Sequence, residues 1–249
     1  MNNHISLKGI RRTNEDKHRI FNNGKIIIMY VCDGHGGGDV SNIVDIYLHK
    51  IFSSNDLMAI INKYGVSNFI YNTFNYIQMI LENIYTTIAN RQGTTCILSV
   101  CYNGKIYTAN TGDSRGILCG HNNTITILSS DHKPTNTKEY DRIKKIGGEN
   151  EIRYDMSDEV WRIKDLSLSR AFGDLYGRPF IIHNPDITIT NYNKDDIIVL
   201  ACDGLWDILS PQDVYVFIKH NKLSAKLLAH HALNLGSTDN VSIIIYKCE

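Results

Sequence analysis

The sequence predicts an α+β fold in which two antiparallel sheets pack face to face and helices cover their outer sides. Short runs rich in Ile, Val and Tyr come in clusters, and several are joined by turn-forming residues such as Asn103-Gly104. Segments with apolar residues at intervals of three and four occur between those clusters. A parallel sheet needs a strict alternation of strands and helices, and this order lacks it. We therefore predict hairpins and an antiparallel architecture.

Each predicted element follows from its own local pattern. The apolar, β-branched runs predict strands at 25–32, 94–102, 105–110, 115–119, 124–128, 187–192, 197–202 and 241–247. Helical spacing predicts helices at 39–52, 66–90, 137–146, 211–220 and 224–235. Ser210 before Pro211 is typical of an N-cap with proline in the first helical position. Hairpin turns are predicted at Asn103-Gly104, Gly112-Asp113 and 120–123.

The composition is that of an ordinary globular chain. Its 249 residues contain no repeat or linker-like tract, so we expect one domain over 1–249. The 26 Lys and Arg equal the 26 Asp and Glu, which argues against a nucleic-acid partner. The longest apolar run, 26–32, is about a third of a membrane span, and the polar start lacks the core of a signal peptide. We expect an intracellular protein, cytoplasmic or nuclear, with no membrane partner.

The cysteine pattern gives no sign of a disulfide framework. The chain has six cysteines without a CxxC pair, mostly in apolar runs, at positions 32, 96, 101, 119, 202 and 248. Disulfide frameworks are typical of short, cysteine-dense secreted chains. We predict reduced thiols in the core.

Acidic residues fall at the ends of predicted strands. Asp33 and Asp203 each follow a highly apolar strand and precede a glycine, while Asp239 comes just before the last strand. Glu15 and Asp16 precede a further β-like segment. A carboxylate there is costly to desolvate without a compensating charge, and oxygen ligands without CxxC or HExxH patterns favour Mg²⁺ or Mn²⁺. The alternative is that each Asp-Gly pair only forms a tight turn, which does not explain why two of them end the most apolar strands.

A histidine and an arginine lie close in sequence to these carboxylates. His35 follows the first aspartate in a glycine-rich loop, where an imidazole can reach a substrate and titrate near neutral pH. The alternative is an ordinary surface histidine. Arg11 offers planar paired donors that match a phosphate, and its alternative is a salt bridge to the pair at 15–16. His132 is a candidate for a supporting role.

Taken in order, these motifs resemble the metal-dependent serine/threonine protein phosphatases of type 2C. The resembling segments are 9–16, 31–37, 93–95, 110–115, 131–134, 147–148, 168–174, 201–207 and 238–242. They span nearly the entire chain. Any one of them alone is a weak signal, but nine in the right order leave little room for chance.

The resemblance implies a central β-sandwich flanked on both sides by pairs of helices, a four-layer arrangement with a metal cleft at one end. It implies Mg²⁺ or Mn²⁺, two ions and a weaker third. Asp33 would bridge the two ions. Asp203 and Asp239 would complete the first site, and Glu15 with the Gly34 carbonyl would complete the second.

The remaining roles also come from the resemblance. It assigns the weaker third site to three aspartates, Asp131, Asp203 and Asp207. Arg11 resembles the phosphate-binding arginine of the family, and His35 resembles its general acid. Asp16 would orient a metal-bound water from outside the ligand set.

The implied reaction is hydrolysis of phosphoserine and phosphothreonine in protein substrates by metal-activated water, and we expect a monomer. No cysteine lies in the CxxxxxR pattern of cysteine-dependent phosphatases. One alternative is a weakly active or inactive regulatory module of the same fold. Another is a metal phosphohydrolase that acts on small molecules.

One position and one segment depart from the family pattern. Asp165 stands where a glycine is common, and the polar segment 149–164, near the substrate-facing flap of the family, is hard to align. These departures leave the choice of substrate open.

Overall fold

The computed structural model of the protein describes residues 3–120 and 123–249. The strands are β1 Asn3–Leu7, β2 Lys17–Asn22, β3 Ile27–Cys32, β4 Gly34–His35, β5 Gly93–Thr94, β6 Cys96–Tyr102, β7 Lys105–Thr111, β8 Arg115–Cys119, β9 Ile125–Ile127, β10 Ile152–Asp155, β11 Val160–Ile163, β12 Phe172–Gly173, β13 Asp186–Asn191, β14 Ile197–Ala201 and β15 Val241–Lys247. The helices are α1 Asp39–Phe52, α2 Leu57–Tyr64, α3 Val66–Asn83, α4 Thr86–Ala89, α5 Thr137–Lys145, α6 Asp203–Trp206, α7 Pro211–His220 and α8 Ala225–Asn234.

Two five-stranded antiparallel sheets form the centre of the molecule. One has the order β1-β15-β14-β8-β9 and the other β13-β7-β6-β3-β2. A small three-stranded sheet, β12-β5-β4, and the hairpin β10-β11 complete the described strands. The predicted class, mixed helices and strands with antiparallel sheets, is confirmed.

Alternation along the strands distributes the apolar residues between three clusters. Met29 and Val31 of β3 lie in a cluster that the other central sheet shares, through Leu200 of β14. Tyr30, between them, lies in a cluster with α1 and α3. Val199 lies in a cluster with α7 and α8. Because successive side chains of a strand point to opposite faces, β3 and β14 each contribute to two clusters.

One of the three predicted hairpins is wrong. β6 and β7 pair across Asn103-Gly104, where both residues have positive φ, as predicted. At Gly112 the chain instead crosses from β7 in one sheet to β8 in the other. Gly112 has a φ of 110°, and a Cβ there would lie 2.6 Å from the Thr95 side chain, so glycine fits the crossing as well as it fits a hairpin. β8 and β9 pair as predicted, but the turn residues His121 and Asn122 lie outside the described residues.

The helix predicted at 66–90 is interrupted. α3 ends at Asn83 and α4 begins at Thr86. Tyr85 leaves the helical region, with φ −114° and ψ 25°, and the Thr86 hydroxyl donates to the Glu82 carbonyl. Threonine side chains that bond a carbonyl one turn back compete with the helical ladder.

The capping prediction before α7 is confirmed. The Ser210 hydroxyl accepts from the Asp213 amide at 3.2 Å, and the Asp213 carboxylate accepts from the Ser210 amide at 3.1 Å. The six cysteines are free and buried, as predicted. In the described part of the chain, no helix combines the length and apolar character that crossing a membrane requires.

Candidate active site

A cavity of about 380 Å³ opens where strands from both central sheets end. β3 runs into Asp33, and β14 in the other sheet is followed by Asp203, the first residue of α6. Both aspartates line the cavity together with Glu15, Gly34 and Asp239. The face-to-face packing of the sheets therefore brings the predicted carboxylates to one place.

Backbone hydrogen bonds fix the position of Asp33. Its carbonyl accepts from the Thr95 amide and the Thr94 hydroxyl, each at 2.9 Å. Its amide donates to the Thr95 hydroxyl at 3.1 Å. The next residue must be glycine, because a Cβ on Gly34 would lie 2.5 Å from the Glu15 carbonyl oxygen.

The carboxyl groups of Asp16, Asp33 and Asp203 lie close together, with little positive charge from the chain to compensate them. Burial raises the pKa of Asp33 well above its ordinary value, and the neighbouring Asp16 and Asp203 raise it further. Burial also raises the pKa of Asp203 to about 7, with contributions from Asp113 and Asp207. Such a cluster favours the binding of a cation, because a cation would offset both the burial and the mutual repulsion.

Asp16 shows this lack of compensation most directly. It is 5% exposed, and both of its carboxylate oxygens lack a hydrogen-bond partner among the described residues. Burial raises its pKa to about 6. Buried carboxylate oxygens are normally satisfied, so these two indicate a polar or cationic species that the chain itself does not supply.

The donor atoms around Asp16 fit a hard cation. Ligand atoms of Asp16, Asp33 and Cys202 lie within 4.8 Å of one another. Cys202 accepts from the Ser242 amide at 3.1 Å, and burial raises the pKa of its thiol well above the ordinary value. A protonated thiol is a poor metal ligand, so oxygen atoms remain as donors, which is the set that Mg²⁺ and Mn²⁺ prefer.

Glu15 and Asp239 face the cavity with some of their oxygens already engaged. Glu15 accepts from the Thr13 hydroxyl and from the Gly37 amide, both at 3.0 Å. Asp239 accepts from the Asn240 amide at 2.6 Å. Each carboxylate has further lone pairs available for a cation.

Arg11 lines the cavity and pairs with Asp239. Its Nη2 donates to Asp239 Oδ2 at 2.6 Å, and its Nε donates to the Thr238 carbonyl at 3.1 Å. Its side chain is 55% exposed. The salt bridge considered in the sequence, to Glu15 or Asp16, is replaced by this one, and the guanidinium still has donors free for a phosphate.

His35 also lines the cavity, and Asp174, which lies outside the cavity lining, contacts its ring. Its Nε2 lies 2.7 Å from Asp174 Oδ2. Burial alone would lower the pKa of His35, but the hydrogen bond to Asp174 and the charges of Asp174 and Asp113 outweigh burial and raise it. The imidazole is thereby favoured in its protonated form.

Of the three aspartates predicted for a third site, Asp203 lines this cavity, whereas Asp131 and Asp207 lie outside its lining. Arg115 binds both oxygens of Asp131, with distances of 3.0 and 2.6 Å. Asp207 follows α6, and burial raises its pKa. A third cation would therefore compete with Arg115 for Asp131.

The sequence did not single out Asp113 and Lys133. The Asp113 side chain is 2% exposed, lines the cavity and forms an ion pair with Lys133. Both residues lie in segments that resemble the family, 110–115 and 131–134, but neither was given a role. His132 does not line the cavity: it is buried, and its Nδ1 accepts from the Gly112 amide at 3.1 Å, so it supports the sheet crossing.

Comparisons with known proteins agree with this geometry. A family model described as "Protein phosphatase 2C" matches residues 3–241. Protein phosphatase 2C homolog 1 of Saccharomyces cerevisiae is 30% identical, covering 94% of this chain and 88% of its own length. Probable protein phosphatase 2C 11 of Arabidopsis thaliana is 31% identical over 98% of this chain. The chain therefore belongs to the protein phosphatase 2C family.

A solved structure shares the fold. The serine/threonine phosphatase of S. agalactiae matches with a TM-score of 0.73 and 20% identity, covering 100% of this chain and 99% of that chain. The first plant relatives are longer, and the chain spans between 49% and 65% of their length.

Proposed function

We propose that the protein is a Mg²⁺- or Mn²⁺-dependent phosphatase that hydrolyses phosphoserine and phosphothreonine in proteins. One observation carries the proposal: the carboxyl groups of Asp33 and Asp203, which repel each other, line one cavity with Arg11 and His35, and the buried Asp16 lies beside Asp33. This arrangement combines a demand for cations with a phosphate-binding group and a proton donor. Membership of the protein phosphatase 2C family supports the same reaction.

Two cations would be held by the oxygen donors of the cavity. Asp33 would be shared between them, Asp203 and Asp239 would hold one, and Glu15 with the Gly34 carbonyl would hold the other. When bound, the cations supply Lewis-acid activation of water and neutralise charge on the phosphoryl group. Asp16 has free oxygens in the same cluster and would orient water there.

The side chains of this chain complete the reaction. Arg11 binds the phosphoryl oxygens with the donors that Asp239 leaves free. His35 donates a proton to the serine or threonine oxygen as the phosphorus–oxygen bond breaks. A third, weaker cation would bind Asp131, Asp203 and Asp207 after displacing Arg115 from Asp131.

A substrate comparison tests this proposal against its alternatives. With Mn²⁺ present, we expect efficient turnover of a phosphothreonine peptide and little turnover of nucleotides or sugar phosphates. Asp33→Asn should remove nearly all activity while the circular dichroism spectrum stays unchanged. Preference for the small phosphates would favour the small-molecule phosphohydrolase, and absence of all turnover in the wild type would favour the regulatory module.

A further inference from the structure

Asp174 is a buried carboxylate that faces the catalytic cavity only through His35. It is 1% exposed, and its Oδ2 lies 2.7 Å from His35 Nε2. Its Oδ1 has no hydrogen-bond partner among the described residues. Asp174 does not line the cavity itself, so any effect that it has on a substrate must pass through the imidazole.

The small three-stranded sheet creates this contact. Gly93 in its central strand β5 lies opposite His35 of β4 on one side and Gly173 of β12 on the other. Asp174 comes directly after β12. The sheet thus joins two segments that are 139 residues apart in sequence.

The backbone conformation leaves room for the side chains of His35 and Asp174 to meet. Asp174 has a φ of 45°, in the left-handed region that aspartate tolerates better than most residues. Its amide donates to the Gln92 carbonyl at 3.1 Å. A Cβ on Gly93 would lie 2.5 Å from His35 Nε2 and closer still to the Asp174 carboxylate, so only glycine fits beneath the pair.

The contact determines which nitrogen of His35 can act on a substrate. A carboxylate accepts a hydrogen bond from the protonated imidazole nitrogen that faces it, which fixes both the ring orientation and the tautomer. Here that nitrogen is Nε2. Nδ1 forms no hydrogen bond with the residues that the structure describes, and the ring lines the cavity.

We propose that Asp174 is a positioning residue for proton donation by His35, holding Nε2–H so that Nδ1 faces the leaving group. This inference rests on the proposed phosphatase function. In the step it supports, the Nδ1 proton moves to the serine or threonine oxygen, which keeps the electron pair of the breaking phosphorus–oxygen bond. Asp174 gains no proton and holds the ring throughout.

Leaving groups of different basicity test the inference. An alkyl phosphate such as a phosphothreonine peptide expels a poor leaving group, whereas p-nitrophenyl phosphate expels a stable phenolate that needs little protonation. General acid catalysis contributes about 10²- to 10⁴-fold, so His35→Gln should lower kcat for the peptide by that order and for the aryl ester by much less. Asp174→Asn should lower kcat for the peptide by about 10- to 100-fold, with KM unchanged and a much smaller effect on the aryl ester.

Two further variants separate positioning from general structural damage. The double variant His35→Gln with Asp174→Asn should lose no more than His35→Gln alone, because Asp174 acts through the ring. Gly93→Ala leaves both side chains present but pushes them apart, and it should reproduce the leaving-group selectivity of Asp174→Asn. The matched control is Asp196→Asn, which replaces another buried aspartate, 3% exposed and outside the cavity lining. It should leave turnover of both esters unchanged.

A spectroscopic readout does not depend on activity. In chelator-treated protein, a long-range ¹H–¹⁵N spectrum reports which ring nitrogen of each histidine carries the proton, and His35→Gln identifies the His35 signals. We expect a protonated Nε2 in the wild type and a changed pattern in Asp174→Asn.

The outcomes separate the positioning role of Asp174 from the proposed phosphatase function on which it rests. If His35→Gln shows the leaving-group selectivity but Asp174→Asn matches the wild type on both esters, the positioning role is wrong and the proposed function stands. Equal losses of Asp174→Asn on both esters would likewise overturn positioning, because they indicate a structural role. If His35→Gln lowers turnover of both esters equally, the general-acid role of His35 is wrong, and the positioning role of Asp174 is wrong with it.

Discussion

Arg11 has two possible partners at the cavity, and they compete for the same donors. It pairs with Asp239 at 2.6 Å, and Asp239 is one of the proposed cation ligands. A bound cation would attract Asp239, and a bound phosphate would attract Arg11. The ion pair between Arg11 and Asp239 therefore holds both side chains at the cavity and leaves each of them able to exchange its partner for a ligand.

Replacement of Arg11 tests its role as a phosphate clamp. Arg11→Ala should raise the KM for phosphate esters and weaken inhibition by free phosphate, at a cost of about 1.5 to 3 kcal/mol for the lost charged hydrogen bonds. Steady-state kinetics with phosphate as inhibitor measures both effects. Arg12→Ala is the matched control, since it removes the same charge from the neighbouring position. A variant with normal phosphate inhibition and a lowered Tm would show that Arg11 is only a structural salt bridge.

Asp131 provides a second test at the level of single residues. Because Arg115 holds both of its oxygens, we expect a third cation to bind weakly. Asp131→Ala should abolish the weak third step in a calorimetric Mn²⁺ titration, lower turnover and raise the Mn²⁺ concentration required. Arg115→Gln should strengthen the same step by freeing Asp131. Loss of the two tighter ions in Asp131→Ala would contradict the assignment.

Some site residues were predictable from the sequence and others were not. Asp33 and Asp203 follow apolar strands and precede glycine, so their position at a buried strand end is a local property of the chain. Asp174 reaches His35 only through strand pairing across 139 residues. Lys133 pairs with Asp113 across a sheet crossing. No spacing rule could reveal these two contacts.

At the level of elements, α5 is anchored by a buried ion network. The Glu139 side chain is 1% exposed and accepts from Arg142 at 2.8 Å and from Arg170 at 2.5 Å. The Ser169 hydroxyl also donates to it, at 2.8 Å. Burial alone would raise the pKa of Glu139, but these hydrogen bonds outweigh burial and lower the pKa to about 2.

This network predicts a pH-dependent stability. Since the folded-state pKa of Glu139 lies below its ordinary value of 4.5, its contribution is complete above pH 4.5 and is lost as the pH falls towards 2. Glu139→Gln should lower the free energy of unfolding at pH 7 by about 3 kcal/mol, and the gap to the wild type should narrow below pH 4.5. Urea unfolding from pH 7 to pH 3 measures this gap.

The control for that experiment is an exposed ion pair. Glu149 pairs with Lys144 at 3.1 Å, and its side chain is 47% exposed. Exposed pairs contribute little, so Glu149→Gln should show a small difference at every pH. A gap for Glu139→Gln that stayed constant down to pH 3 would contradict the network.

Local sequence patterns predict where a helix or strand begins and ends better than they predict which strands pair with one another. The bounds of α1 and α7 are as predicted from apolar spacing and capping. Gly112-Asp113 has the chemistry of a hairpin turn, yet it carries the chain between sheets, because the same positive φ serves either path and only distant strands decide. β10 and β11 were not predicted: each has only four residues and lies in a segment, 149–164, that is polar overall, so the short apolar pattern does not stand out.

At the scale of the whole molecule, the sandwich creates the site. β3 and β14 belong to different sheets, and their inner faces share one apolar cluster that contains Val31 and Leu200. Burial of that cluster stabilises the fold and brings the aspartates at the strand ends into one cavity. The antiparallel class was predictable from strand clusters and turns, but the order of strands in each sheet was not, since it depends on long-range pairing.

Metal dependence is the central claim about the molecule, and its most direct measurement uses the intact protein. Turnover of a phosphothreonine peptide is followed after removal of divalent cations with EDTA, and again after addition of Mn²⁺ or Mg²⁺, with Asp33→Asn and Asp239→Asn in parallel. We predict no turnover after chelation, recovery in the wild type on adding either cation, and almost none in the two variants. A chelated wild-type protein that remained fully active would contradict the account.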